Sequence, residues 1–156
     1  MSNNAFEALQ PRHIEFVRAQ HLFFVATAPL SHEGHVNLSP KGYDSFEVID
    51  PQRVAYIDLG GSSAETQTHI EENGRICLMF CSFDRTPLIV RLYGRGRVHA
   101  SGGEAFAALR ARFTKIAGPA RAIIEIELTR VQDSSGWGVP FFEYRGDRQK
   151  GSRNQR

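Results

Sequence analysis

A chain of 156 residues, 41% hydrophobic and 23% charged, is long enough to bury one core and has an ordinary globular composition. Its net charge of +2 is too small to signal a nucleic-acid partner by itself, and no window approaches the roughly 18 apolar residues of a membrane span. The start lacks a basic segment followed by an apolar run, so no signal peptide is expected, and two free thiols, Cys77 and Cys81, suit a reducing cytoplasm. On one strand they would lie roughly 13 Å apart, too far for a disulfide.

Pro11 opens a helix in "PRHIEFVRAQ", with Ile14, Val17 and Phe16 as its inward candidates. "HLFFVATAP" is short and rich in aromatic and β-branched residues, which predicts a buried strand. "SHEG" turns the chain, and "HVNLSP" returns as a half-buried strand, making a hairpin. "SFEVID" and "RVAYIDL" are strands separated at Pro51. In "GGSSAETQTHIEENG" a loop leads into a short helix, where Ser62-x-x-Glu65 has the form of a capping box and Gly74 that of a left-handed stop.

"RICLMFCSF" is strand again, and "DRTP" turns the chain. In "LIVRLYGRGRVHA", Leu88, Val90, Leu92 and Val98 share one face and Arg91, Tyr93, Arg95 and Arg97 the other. "GEAFAALRARF" is helical, with Phe106, Leu109 and Phe113 aligned. "AIIEIELTRV" alternates Ile124, Ile126 and Leu128 against Glu125 and Glu127, and "DSSGWGVPFFEY" reads as a loop with a short aromatic segment. Six or seven short strands with few helices make a mainly β fold, a small antiparallel barrel with flanking helices. One domain, 1–145, is expected, followed by a basic disordered tail over 146–156.

Most chemistry-bearing patterns are absent. His32 and His35 flank a turn without a helical His-x-x-x-His or a Cys-x-x-Cys, so no metal site is expected. No Gly-x-Ser-x-Gly elbow occurs, and the glycines of "YGRGRV" open no βαβ unit. The row Arg91, Arg95, Arg97 has only Tyr93 to stack a base, so a solvated face or subunit contact is expected there, not nucleic acid. Two stretches remain. "NLSPKG" offers an amide, a hydroxyl and Lys41 near a strand end, and "GGSSAET" offers hydroxyls at a helix N-terminus, which attracts phosphate. Alternatively Ser62 only caps the helix and Lys41 only ends a strand; Glu65 in the first turn favours that alternative.

The ordered set "FFVATA", "GHVNLSPKGYDSFEV", "RVAYIDLGGSSAETQTHIEENGRICLMF", "VRLYGRGRV" and "GWGVPFFEY" resembles the pyridoxamine 5'-phosphate oxidase-like family of FMN-binding split barrels, from about Phe23 to Tyr144. It is most similar to a bacterial branch carrying Ser-Pro-Lys-Gly. The resemblance implies a split β-barrel, a homodimer and FMN in clefts between subunits. It puts Lys41 at the flavin phosphate or ring, with Asn37, Ser39 and Pro40 on the same strand. It puts Ser62, Ser63 and Thr66 in the phosphate segment, Arg91 towards the cofactor from the facing subunit, and Trp137 over the ring or substrate.

Several positions depart from the family's oxidase pattern. Glu65 and Thr66 replace an Arg-Lys pair, Val36 replaces an arginine, Ser135 stands where related sequences often carry cysteine, and "GWGVP" replaces the Arg-Leu-x-Pro motif that holds the vitamin. The implied function is an FMN-dependent oxidoreductase acting on something other than vitamin B6. The alternative is a flavin, haem or deazaflavin binder without turnover, for storage or redox sensing.

Overall fold

The computed structural model describes residues 4–61 and 64–149. In chain order the elements are β1 (Asn4–Phe6), α1 (Pro11–Ala19), β2 (Phe23–Thr27), β3 (Asn37–Lys41), β4 (Phe46–Asp50), β5 (Arg53–Asp58), α2 (Ala64–Asn73), β6 (Arg75–Cys81), β7 (Leu88–Ala100), α3 (Glu104–Arg110) and β8 (Ala122–Ser135). The strands form one antiparallel sheet in the order β3-β2-β6-β7-β8-β5-β4, with β1 added to β8. The ends of that path, β3 and β4, are consecutive in the chain and joined only by residues 42–45. The sheet therefore curls without closing, and the split lies at this short connection.

Local signals place several boundaries. Pro11 occupies the first turn of α1, where a missing N–H costs nothing. Gly74 ends α2 with φ of 72°, its N–H returning to Ile70 O at 2.8 Å. Ser62, the expected cap of α2, lies outside the described residues. The two long strands β7 and β8 pair along their whole length, with a register shift at Tyr93/Gly94. A side chain at Gly94 would collide with the Glu127 carbonyl, so only glycine allows this approach.

The core has two layers. Inside the curl, Val25, Leu78, Val90, Leu92, Ile124 and Ile126 pack with an aromatic group of Phe23, Phe46, Tyr56 and Phe80. Outside it, Ala55, Ile57 and Ile123 pack under Phe113 and Ile116 of the α3–β8 connection. The middle of β5 and the start of β8 are thus buried on both faces, which is why they read as apolar runs.

Some details go beyond the sequence expectations. On α1, Val17 is buried and Ile14 and Phe16 pack against the core while partly buried, and the unexpected member of that face is the buried His13. His13 Nδ1 accepts from the Gln10 N–H at 3.1 Å, so the proton of a neutral ring sits on Nε2, facing Asp133 Oδ2 at 3.0 Å. Asp133, assigned to a loop from sequence, belongs to β8 and also meets Arg12 at 2.7 Å. Finally, β3 is half-buried with its polar side inward: Asn37 is 8% exposed, whereas Val36 and Leu38 are 73% and 65% exposed.

Candidate functional site

Beside the split, β3, the connection after it and the end of β5 enclose a cleft of about 390 Å³. Its walls include Ser39, Pro40, Lys41, Ile57, Leu59, Gly60 and Gly61. The volume falls in the lower part of the ~300–1,000 Å³ range of small-molecule sites. Gly60 and Gly61 have φ of 90° and 92°, and added side chains would meet nothing within 4 Å. Two consecutive left-handed residues with open space around them leave bare backbone facing outward.

Charge is concentrated at the same place. Asp58 is 2% exposed and its carboxylate accepts from Gly60 N (3.0 Å), Gln67 Nε2 (3.0 Å) and Arg121 Nε and Nη2 (3.1 and 2.8 Å). Burial pushes this carboxyl up, but the hydrogen bonds from Arg121 and Gly60 and the nearby Lys41 and Arg121 charges outweigh it, and the group titrates below the usual carboxylate range. Lys41 is pushed down by burial, with Asp58 opposing and Arg121 adding to the shift. Its ammonium lies 6.0 Å from the centre of the Tyr56 ring. A second anion entering the cleft would add the counter-charge that burial makes valuable.

The residues expected at the site divide into groups. Ser39, Pro40 and Lys41 line the cleft. Asn37 and Thr66 are brought together with Ser39, but as a buried clamp: Ser39 Oγ donates to Asn37 Oδ1 (3.0 Å), and Asn37 Nδ2 donates to Thr66 Oγ1 (2.8 Å) and Thr27 Oγ1 (3.2 Å). Thr27 Oγ1 in turn meets His69 Nδ1 at 2.9 Å. This network fastens α2 to the β2–β3 hairpin, and it explains the polar inner side of β3. Ser62 and Ser63 lie outside the described residues. Arg91 is three strands from β3, on β7, where it donates to Ser134 Oγ at 3.1 Å. Trp137 is 73% exposed in a turn after β8, anchored by Gly136 N–H to Pro87 O at 2.8 Å. Neither joins the Lys41 cleft within one chain.

Sequence reading missed Asp58, Gln67 and Arg121. Asp58 had a usable signal, an acid closing a strand directly before Leu-Gly-Gly; Arg121, 63 positions later, had none. Burial pushes the Cys77 thiol up to about 11 against the opposing Arg91 charge, which disfavours the reactive thiolate at neutral pH. Because Trp137 is so exposed and belongs to neither core cluster among the described residues, Trp137→Ala is expected to change unfolding free energy by less than about 0.5 kcal/mol. Chemical denaturation of both forms would check this; a loss of several times that amount would mean the ring is buried in solution.

The geometry defines a split-barrel protein with a small cleft of mixed polar and apolar walls at the split. The pyridoxamine 5'-phosphate oxidase family model matches residues 9–135, and the chain belongs to that family. A curated relative, the "Pyridoxamine 5'-phosphate oxidase family protein ustO" of Aspergillus flavus, is 42% identical over 141 residues, covering 88% of this chain and 56% of its own. The chain thus spans about half the length of that relative. Among solved structures it is similar to HupZ of Group A Streptococcus (23% identity, TM-score 0.63, covering 79% of this chain and 92% of that one). It is also similar to an FMN-binding protein of Syntrophomonas wolfei (16% identity, TM-score 0.59, covering 78% and 86%). At these identities the two structures speak for the fold.

Proposed function

We propose that the chain is a flavin-binding, oxidoreductase-type protein that takes FMN in the Lys41 cleft as a symmetric homodimer. The observation that carries this is the meeting of a half-buried cation, Lys41, with the Gly60–Gly61 turn, whose missing side chains leave room for a ligand, beside the N-terminal end of α2. A phosphate is satisfied by one full charge plus backbone N–H groups. Family membership and an FMN-binding neighbour of the same fold support the flavin as the ligand.

The residues fit the group in a specific way. Lys41 would meet its phosphate or ring, and Asp58 would hold Arg121 and the Gly60 amide in place behind it. The Asn37 clamp would fix Ser39 relative to α2. A bound flavin supplies hydride-transfer chemistry at its ring, and the protein supplies position, charge and exclusion of water. The second wall is assigned to a partner subunit, because Leu38 at the rim of the cleft is 65% exposed and the exposed Val36 and the distant Arg91 and Trp137 find no role at the cleft within one chain. The substrate is taken to differ from a vitamin B6 phosphate, since "GWGVP" stands where the vitamin-holding motif would be.

Size-exclusion chromatography with light scattering and a flavin absorbance channel tests the whole reading. After incubation with FMN the expected result is a dimer carrying two flavins. Protein that stays colourless in excess FMN would reject flavin binding, and a flavin-loaded monomer would reject the shared cleft. Bleaching of the bound flavin by a nicotinamide donor separates an oxidoreductase from a storage or sensing protein.

A further inference from the structure

The 42–45 connection that spans the split carries observations that the flavin reading leaves unused. Tyr43 and Asp44 are consecutive non-glycine residues with φ of 62° and 53°. Such left-handed positions are strained, and their surroundings must hold them. Here Tyr43 Oη donates to Arg148 O at 2.9 Å, Asp44 pairs with Lys115 at 3.5 Å, and Ser45 N–H returns to Gly42 O at 3.2 Å. Ser45 itself is 3% exposed, and among the described residues its Oγ is the only buried side-chain polar atom without a hydrogen-bond partner. A native fold seldom keeps such an orphan without a reason.

Ser45 and Gly42 are shared by the Lys41 cleft and by a second one. This second cleft, about 220 Å³, lies between α1, the start of β2, the strained connection and the segment after α3. Phe46 and Phe113 supply apolar wall, and Arg18, His21, Arg112 and Lys115 supply cations or polar rings. Two of those cations are already matched, Arg18 with Glu47 at 3.9 Å and Lys115 with Asp44 at 3.5 Å. His21 is stacked on Tyr144 at 3.6 Å. Arg112 has no carboxylate at ion-pair distance among the described residues.

We propose that this second cleft binds a small organic carboxylate with a flat apolar body, using Arg112 as counter-charge and the Ser45 hydroxyl as hydrogen-bond donor. One unmatched monovalent cation and one hydroxyl suit a monoanion. A phosphate dianion would need more counter-charge than Arg112 supplies, since Arg18 and Lys115 are already matched by Glu47 and Asp44. Aromatic wall on the remaining surface favours a planar carbon skeleton over a sugar. The binding site stands on the geometry of the connection; its role as the substrate side of the flavin cleft rests on the proposed function. Ligand entry would give the orphan hydroxyl a partner.

Benzoate and its neutral analogue benzamide are suitable probes, titrated into the full chain by calorimetry or ligand-detected NMR. Benzoate is expected to bind saturably and benzamide at least tenfold more weakly. Arg112→Gln should weaken benzoate at least tenfold. Ser45→Ala should weaken it several-fold and, in ligand-free protein, raise the melting temperature, because it deletes a buried hydroxyl that bonds to nothing. Absent benzoate binding, binding indifferent to Arg112→Gln, equal affinity for benzamide, or a lowered melting temperature in Ser45→Ala would each overturn the proposal. The same titration in Lys41→Ala protein keeps the two readings apart. Benzoate binding that survives in Lys41→Ala shows the site to be independent of the flavin cleft, and Arg112-dependent benzoate binding in wild-type protein that takes no FMN would sink the flavin reading and leave this site standing.

Discussion

Lys41→Ala is expected to weaken FMN binding ten- to a hundred-fold while leaving the fold nearly intact. The estimate follows from removing one charge-assisted hydrogen bond, about 1.5–3 kcal/mol, at about 1.4 kcal/mol per decade of affinity. Stability should change little or rise, because the lysine is placed where burial disfavours its charge. Riboflavin separates the two contacts open to it. If Lys41 holds the phosphate, riboflavin binding should be almost unchanged by the mutation; if it holds the ring, both ligands should suffer alike. Fluorescence titration of wild-type and mutant protein with both ligands reads the answer. Equal FMN affinities in the two proteins would reduce Lys41 to a strand-end lysine with a shielded charge.

What the sequence made legible, and what it hid, follows from the range of each interaction. Pro11 and Gly74 act on their own turn of helix, so their effect could be read locally. The alternation of β7 and β8 was also readable, because a strand with one buried face must repeat every second residue. The inner side of β3 was harder. Its period of two was right, but apolar residues usually mark the inside, and here Asn37 takes that side while Leu38 faces out. The reversal depends on Thr66, which reaches Asn37 from α2, 29 positions away, and on Thr27 of β2, itself held by His69.

The same limit hid the ion pairs. Asp133 and its neighbours Ser134 and Ser135 are poor strand formers, so the end of β8 looked like a loop. Asp133 is held there by His13 and Arg12, about 120 positions earlier, and no window of sequence contains both ends of that contact. Lys41 could be singled out because proline and glycine flank it. Arg121 sits outside the alternating run that follows it, and only the pairing of β5 with β8, Asp58 opposite Ala122, brings it to the Asp58 carboxylate.

That placement makes Asp58→Asn the largest stability loss expected in the molecule's polar framework. The carboxylate joins the end of β5, the Gly60–Gly61 backbone, α2 through Gln67, and the start of β8 through Arg121. An amide can replace only part of this and turns a donor towards the guanidinium. Because the Arg121 side chain is 34% exposed, solvent offsets some of the loss, and about 2–3 kcal/mol is expected at neutral pH. For a chain of this size that lowers the melting temperature by about 4–12 °C. The pH dependence supplies a second reading. Asp58 has its folded-state pKa depressed, so its contribution is fully present above the unfolded value, about 3.9, and is lost as pH falls from there through the folded value. The gap between wild type and Asp58→Asn should therefore be constant from pH 5 to 8 and shrink below about pH 4. Thermal unfolding at half-unit steps would measure it. A gap under about 0.5 kcal/mol at pH 7, or one that persists unchanged into acid, would show that the carboxylate is not the joint these contacts describe.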